Sequence, residues 1–108
     1  MTSFDDREKA FETKFAHDAE MQFKAEARRN KKLGLWAAGQ MGLSQEDAAN
    51  YANAVVVADL EEPGDEDVFR KVAGDFAAKS VSVSEADLRA KMNELLAEAK
   101  AEIFSETQ

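Results

Sequence analysis

Residues 4–38 read FDDREKAFETKFAHDAEMQFKAEARRNKKLGLWAA, from Phe4 to Ala38. The spacing predicts one long helix. Thr2 or Ser3 can cap it, with Asp5, Asp6 and Glu8 in its positive first turn. Its first half has little apolar surface: Phe4, Phe11 and Phe15 stand among nine charged residues before Met21. From Phe23 the apolar residues thicken, through Ala27, Leu33, Leu35, Trp36, Ala37 and Met41, and give the second half a core face. A segment with helical spacing and nothing to pack on awaits a partner. Residues 1–19 are therefore expected to be an arm, mobile when free and helical on binding, and residues 20–108 a body.

Outward from this stretch the chain divides at capping signals. Gly42 ends the first helix as a C′ glycine. Ser44 opens the second, with Asp47 at the third position as an acidic form of the capping box. Ala48, Tyr51, Ala52, Val55, Val56 and Leu60 keep the helical period, so the run Val55-Val56-Val57 is read as helix. Pro63-Gly64 breaks the chain, and Asp65 is expected to cap a third helix with core residues Val68, Phe69, Val72, Ala73 and Phe76, weakened by Gly74. After a loop over residues 80–83, Ser84 caps the last helix, whose stripe is Leu88, Met92, Leu95, Leu96, Ala99 and Ile103. The fold class is all-α: a small four-helix bundle with a mobile N-terminal helical arm.

Composition agrees. The chain has 108 residues, a third of them charged, and no cysteine, which excludes disulfides and thiolate chemistry. No apolar run approaches the roughly 20 residues that span a bilayer, and the acidic start MTSFDDREK lacks the apolar stretch of a signal peptide. A cytoplasmic monomer without direct membrane insertion is expected. The net charge is −8, with seven acids and eight bases in residues 1–32 against fifteen acids and six bases in residues 33–108. An acidic body argues against nucleic acid as a partner. The basic cluster Lys24, Arg28, Arg29, Lys31 and Lys32 reads first as a solvated helix face paired with acids of the body. The sharper reading is a contact for an acidic partner or a nucleotide phosphate.

Catalytic chemistry finds few residues to work with. His17 is the one histidine and reads as a solvated polar residue of the arm, with a pH switch as the minor alternative. Asp65-Glu66-Asp67 lacks calcium-loop spacing and serves better as a helix start. Gly34 to Gly39 has phosphate-loop spacing, but Gln40-Met41 stands where Lys-Ser/Thr should follow. Close helix packing and a C-cap explain these glycines better. Trp36 reads as core, and Tyr51 as a core residue with a hydrated hydroxyl or the lining of a small groove. The chain is expected to be no enzyme, with no metal site and no required cofactor. A weaker candidate site joins Arg28, Arg29 and Lys32 to Trp36 and Tyr51 for the phosphate and base of ATP or ADP.

The run Phe11-Glu12-Thr13-Lys14-Phe15-Ala16-His17-Asp18, then Phe23-Lys24-Ala25-Glu26-Ala27-Arg28-Arg29-Asn30-Lys31, then Gly34-Leu35-Trp36-Ala37-Ala38 closely resembles the ζ subunit of alphaproteobacterial F-type ATP synthases. The stretches Gly64-Asp65-Glu66-Asp67-Val68 and Arg70-Lys71-Val72-Ala73-Gly74-Asp75 carry the same resemblance, which covers nearly the whole chain. It implies an inhibitor of ATP hydrolysis. Its N-terminal helix would insert at a catalytic α/β interface near the γ shaft and act as a one-way ratchet, with the protein held peripherally at the inner membrane through the synthase. Phe4, Phe11 and Phe15 would be the anchors, and Asp5, Arg7, Glu8 and Lys14 would set register by charge. Two alternatives stay open: a small nucleotide-binding or nucleotide-sensing helical module, and a non-inhibitory assembly scaffold.

Overall fold

The computed structural model describes residues 19–60 and 64–106. Within them lie four helices: α1 (Ala19–Gln40), α2 (Gln45–Ala58), α3 (Glu66–Ala78) and α4 (Glu85–Glu106). The three valines of α2 are helical, as the period required. α1 is the common neighbour. It packs most extensively along α2 and α4, and it also touches α3.

Of the five expected caps, Thr2 or Ser3 lies outside the described residues, and the structure follows the sequence at three of the other four. The Ser44 hydroxyl accepts the Asp47 amide at 3.2 Å, and the Ser84 hydroxyl accepts the Asp87 amide at 3.0 Å. Each satisfies one of the orphan donors of a helix start. Gly42, at φ +71°, closes α1 with a Schellman pair: the Leu43 amide donates to Ala38 O at 3.0 Å and the Gly42 amide to Gly39 O at 3.2 Å. Asp65 departs from the expectation. It precedes α3 but makes no side-chain capping bond, because its carboxylate is engaged by a guanidinium of α1.

The main core joins Leu33 and Ala37 of α1, Val55 of α2, Val68, Val72 and Phe76 of α3, and Leu88 and Met92 of α4. A satellite cluster of Met21, Ala25 and Ile103, flanked by Leu96 and Phe104, ties the start of α1 to the end of α4. The face of α1 differs from the expected one. Phe23 and Leu35 are 61% and 45% exposed, and Leu60 beyond α2 is 67% exposed. Arg29 and Asn30 are buried instead. The physical reason is the small-residue stripe Ala25, Gly34, Ala37 and Ala38. It lets α2 approach closely at Gly34, and Leu35, about 100° further round the helix, is left outside that contact.

Gly34 marks the tightest approach. A Cβ built there would lie 2.5 Å from the Ala52 Cα on α2, too close for any side chain. Gly74, in the middle of α3, has open space around it. Gly34→Ala is therefore expected to destabilise the bundle by about 1–3 kcal/mol through overpacking, despite the better helix former. Gly74→Ala should stabilise it by about 0.5–1 kcal/mol. Urea unfolding followed by Trp36 fluorescence separates the two, and shifts of the same sign would contradict the close α1–α2 contact.

Candidate functional site

The expected partner-binding residues Phe4, Asp5, Arg7, Glu8, Phe11, Lys14 and Phe15, together with His17, lie outside the described residues. What the structure describes is the platform from which they depart, the first turns of α1 and the groups that hold them.

Two polar systems surround this platform. The first is a seam between α1 and α4. Arg28 donates to Glu106 at 2.9 and 3.0 Å and to Glu102 at 3.3 Å. Lys32, one turn on, donates to Glu98 and Glu102 at 2.6 Å each. Glu102 thus bridges two cations. The Lys32 bond holds Glu102 below the usual carboxylate range, and the Arg28 bond does the same for Glu106. The Glu102 and Glu98 bonds in turn raise Lys32. Lys24 pairs with Glu20 within α1.

The second system is a buried junction on another side of α1. Arg29, 1% exposed, donates through Nη2 to Asp65 Oδ1 at 2.7 Å and through Nε to Asn30 Oδ1 at 2.6 Å. Glu26 lies beside it. Burial raises this carboxyl above its ordinary range, the charges of Asp59 and Asp65 raise it further, and Arg29 and Lys100 oppose them. The basic cluster is therefore largely paired with the body, as its first reading expected, except that Arg29 is buried rather than solvated.

The five residues of the candidate nucleotide site do not converge. Arg28 and Lys32 share Glu102 on the α4 side, while Arg29 is buried at the start of α3. Trp36 meets Phe76 edge-on with ring centroids 5.8 Å apart, and Lys91 lies 5.5 Å above its ring. Tyr51 faces α3: its hydroxyl donates to Asp75 Oδ2 at 2.7 Å, and Lys71 stands 5.2 Å over the ring while binding the same carboxylate oxygen at 3.1 Å. Burial, followed by the bond to Asp75, pushes the Tyr51 hydroxyl well above its ordinary pKa. Tyr51 lines a groove of about 250 Å³ with Met41, Leu43 and Lys79. Among the described residues no group of three His, Cys, Asp or Glu side chains is placed to hold a metal, and no helix is long and apolar enough to cross a membrane.

Sequence reasoning missed the Arg29–Asp65 pair. Its signal was present in the misfit of Arg29-Asn30 lying on the same helical face as Ala25, Leu33 and Ala37, but hydrophobic patterning ranks Phe23 and Leu35 above any arginine.

The described residues define a small all-α protein of four helices. A family model described as "ATPase inhibitor subunit zeta" matches residues 1–102. The chain belongs to that family. Four solved chains match. One of them, a solution NMR structure, is 55% identical, with a TM-score of 0.70 over 80% of this chain and 98% of that one. No curated protein matches.

The two polar systems make separate predictions. Asp65→Ala leaves a buried guanidinium without its carboxylate and should cost about 3 kcal/mol in urea unfolding. Arg29→Met leaves only a half-exposed carboxylate and should cost less than half as much; a larger loss for Arg29→Met would place the burial penalty elsewhere.

In the α1–α4 seam, Glu102 and Glu106 have depressed folded-state pKa values, so the unfolded chain binds their protons more readily. Their contribution is complete above the ordinary carboxylate range of about pH 4.3 and is lost as the pH falls through the depressed values. The raised Glu26 works in the opposite sense, its penalty being relieved by acid. At low salt, amide exchange in the last turns of α4 should accelerate below about pH 4 before the core around Trp36 opens. The double variant Glu102→Gln, Glu106→Gln should lose that dependence. Simultaneous opening of both regions would contradict a separately held seam.

Proposed function

We propose that this chain inhibits the ATPase activity of an F-type ATP synthase by placing residues 1–19 at a catalytic α/β interface near the γ shaft. The family match across residues 1–102 carries the reading. Physical support comes from the contrast between the two parts of the chain. The N-terminal segment has three phenylalanines among its many charges, too little apolar surface to stabilise an isolated helix, whose nucleation is costly. Such a segment gains its helix at a partner, and the ordering entropy is offset by the interface. Twenty helical residues reach roughly 30 Å, enough to enter a subunit cleft.

The anchors are Phe4, Phe11 and Phe15, whose separations of seven and four are helical repeats. Asp5, Arg7, Glu8 and Lys14 set the orientation. The body stays outside the cleft and holds the segment through α1, which the satellite cluster and the glutamate seam fasten to α4. A helix caught as the interface closes in the hydrolytic order and freed when rotation reverses acts as a one-way ratchet. On this reading the protein is a cytoplasmic monomer, peripheral to the membrane through the synthase, with no required cofactor. Nucleotide binding is the lesser reading. Of its candidate residues, Tyr51 borders an open groove, and Arg28 and Lys32 already hold glutamates.

Deletion of residues 1–19 should abolish inhibition of ATP hydrolysis and leave a cooperatively unfolding bundle. Phe11→Ala or Phe15→Ala should each weaken binding to the synthase by about 1–4 kcal/mol with the melting temperature of the free protein unchanged. A stoichiometric amount of the full chain should suppress hydrolysis far more than synthesis. Normal inhibition by the truncated protein would refute the assignment of the arm, and equal loss of both directions would refute the ratchet.

A further inference from the structure

The leading turns of α1 are set by α4. α1 and α2 run in opposite directions, with Gly34 against Ala52 and Glu26 within the field of Asp59, the residue that closes α2. α2 thus gives out near Glu26. The buried residues of α1 ahead of that point are Met21 and Ala25. The cluster that buries them is completed from α4, by Ile103 with Leu96 and Phe104 beside it. Arg28 grips the same end of α4. Its two terminal nitrogens meet the two carboxylate oxygens of Glu106 at 2.9 and 3.0 Å. A forked pair of this kind fixes orientation as well as distance. Lys32 adds bonds to Glu98 and Glu102, so three successive turns of α4 face α1.

The rotation of α1 matters because of where the phenylalanines stand in the sequence. Phe11 and Phe15 lie eighteen positions before Arg29 and Leu33, which is five whole helical turns. Phe4 falls between them in angle, about 20° from each. A helix continued from Ala19 back through residues 1–18 would carry all three rings on the line of Arg29 and Leu33. That line faces α3. Arg29 reaches Asp65 at the start of α3, and Leu33 shares the core with Val68, Val72 and Phe76.

We propose that the end of α4 is a positioning element for inhibition. Ile103, Glu102 and Glu106 fix the rotation of α1, acting through Met21, Ala25 and Arg28. Residues 1–18, once ordered at the synthase, continue α1 as a single helix with Phe4, Phe11 and Phe15 on its α3 side. The proposal rests on the functional reading above and adds to it how the segment is aimed. A segment already aimed loses less orientational freedom on binding than one on a loose tether, and so binds more tightly for the same contacts.

The test uses the full chain and the purified cognate synthase, and reads the concentration that half-inhibits ATP hydrolysis. Two alanines inserted between Asp18 and Ala19 turn the segment by about 200° relative to the body and lengthen the helix by about 3 Å. Four alanines turn it by only about 40° and lengthen it by about 6 Å. The two-alanine chain is expected to need about tenfold more protein for half-inhibition. The four-alanine chain should be the better inhibitor of the two despite its greater length. Both insertions lie ahead of Met21, the first buried residue of α1, so the unfolding midpoint of the body should not move. Arg28→Glu sets a carboxylate against Glu102 and Glu106 and is expected to weaken inhibition about threefold. Adding Glu106→Arg reverses the pair and should restore most of the loss. Equal potency of the two inserted chains and the unaltered one, or a loss that simply grows with insert length, would overturn the proposal and leave the inhibitory segment standing. A double variant no better than Arg28→Glu would assign Arg28 to the synthase itself and overturn the role of α4. Failure of the unaltered chain to inhibit would overturn both this proposal and the functional reading.

Discussion

A guanidinium without solvent must be met by acceptors, and Arg29 in the middle of α1 imposes that requirement on the body. Its planar fork is satisfied by Asn30 beside it and by Asp65 at the start of α3. The second bond spans 36 positions of sequence. It fixes where the chain must return after α2, and it takes the carboxylate that would otherwise have capped α3. α1 thereby becomes the helix against which the other three are placed. Its small residues allow the close approach of α2 at Gly34 and Ala52, and its larger residues Leu33 and Trp36 meet the core contributed by α3 and α4.

The two ends of α1 are held differently. Toward Gln40 the helix is part of the main core and is closed by the Schellman turn at Gly42. Toward Ala19 it is held by Met21 and Ala25 against Ile103, and by Arg28 and Lys32 against three glutamates of α4. Exposed ion pairs of this kind contribute little each and are screened by salt. The end of α1 that leads to the N-terminal segment is thus the more weakly fastened. This difference between the two ends suits the proposed role, in which α1 presents the N-terminal segment to the synthase.

Much of this was legible in the sequence because it is local. Ser44 and Ser84 sit at caps whose geometry depends on three following residues, and Gly42 sits where a left-handed turn is needed. The stripe of α4 is periodic enough to place Leu88, Met92, Ala99 and Ile103 without knowledge of any neighbour. Arg29 and Asp65 were hidden because the reason for burying an arginine lies in a distant carboxylate. Phe23 and Leu60 are apolar yet exposed, because apolar character alone does not set which side chains a neighbouring helix covers. Trp36 and Tyr51 were placed on the right helices, yet the partners Phe76 and Asp75 depend on packing between helices and not on spacing within one.

The central claim is a division of labour: a preformed body carries a segment that becomes ordered at the synthase. Hydrogen exchange of the full chain, free and bound to the synthase, tests it at the level of single amides. Residues 1–18 should gain strong protection on binding, while the main-core amides of α2, α3 and α4 keep the protection they have in the free protein. Absence of protection in residues 1–18 of the bound chain, or wholesale loss of protection in the body on binding, would contradict the account.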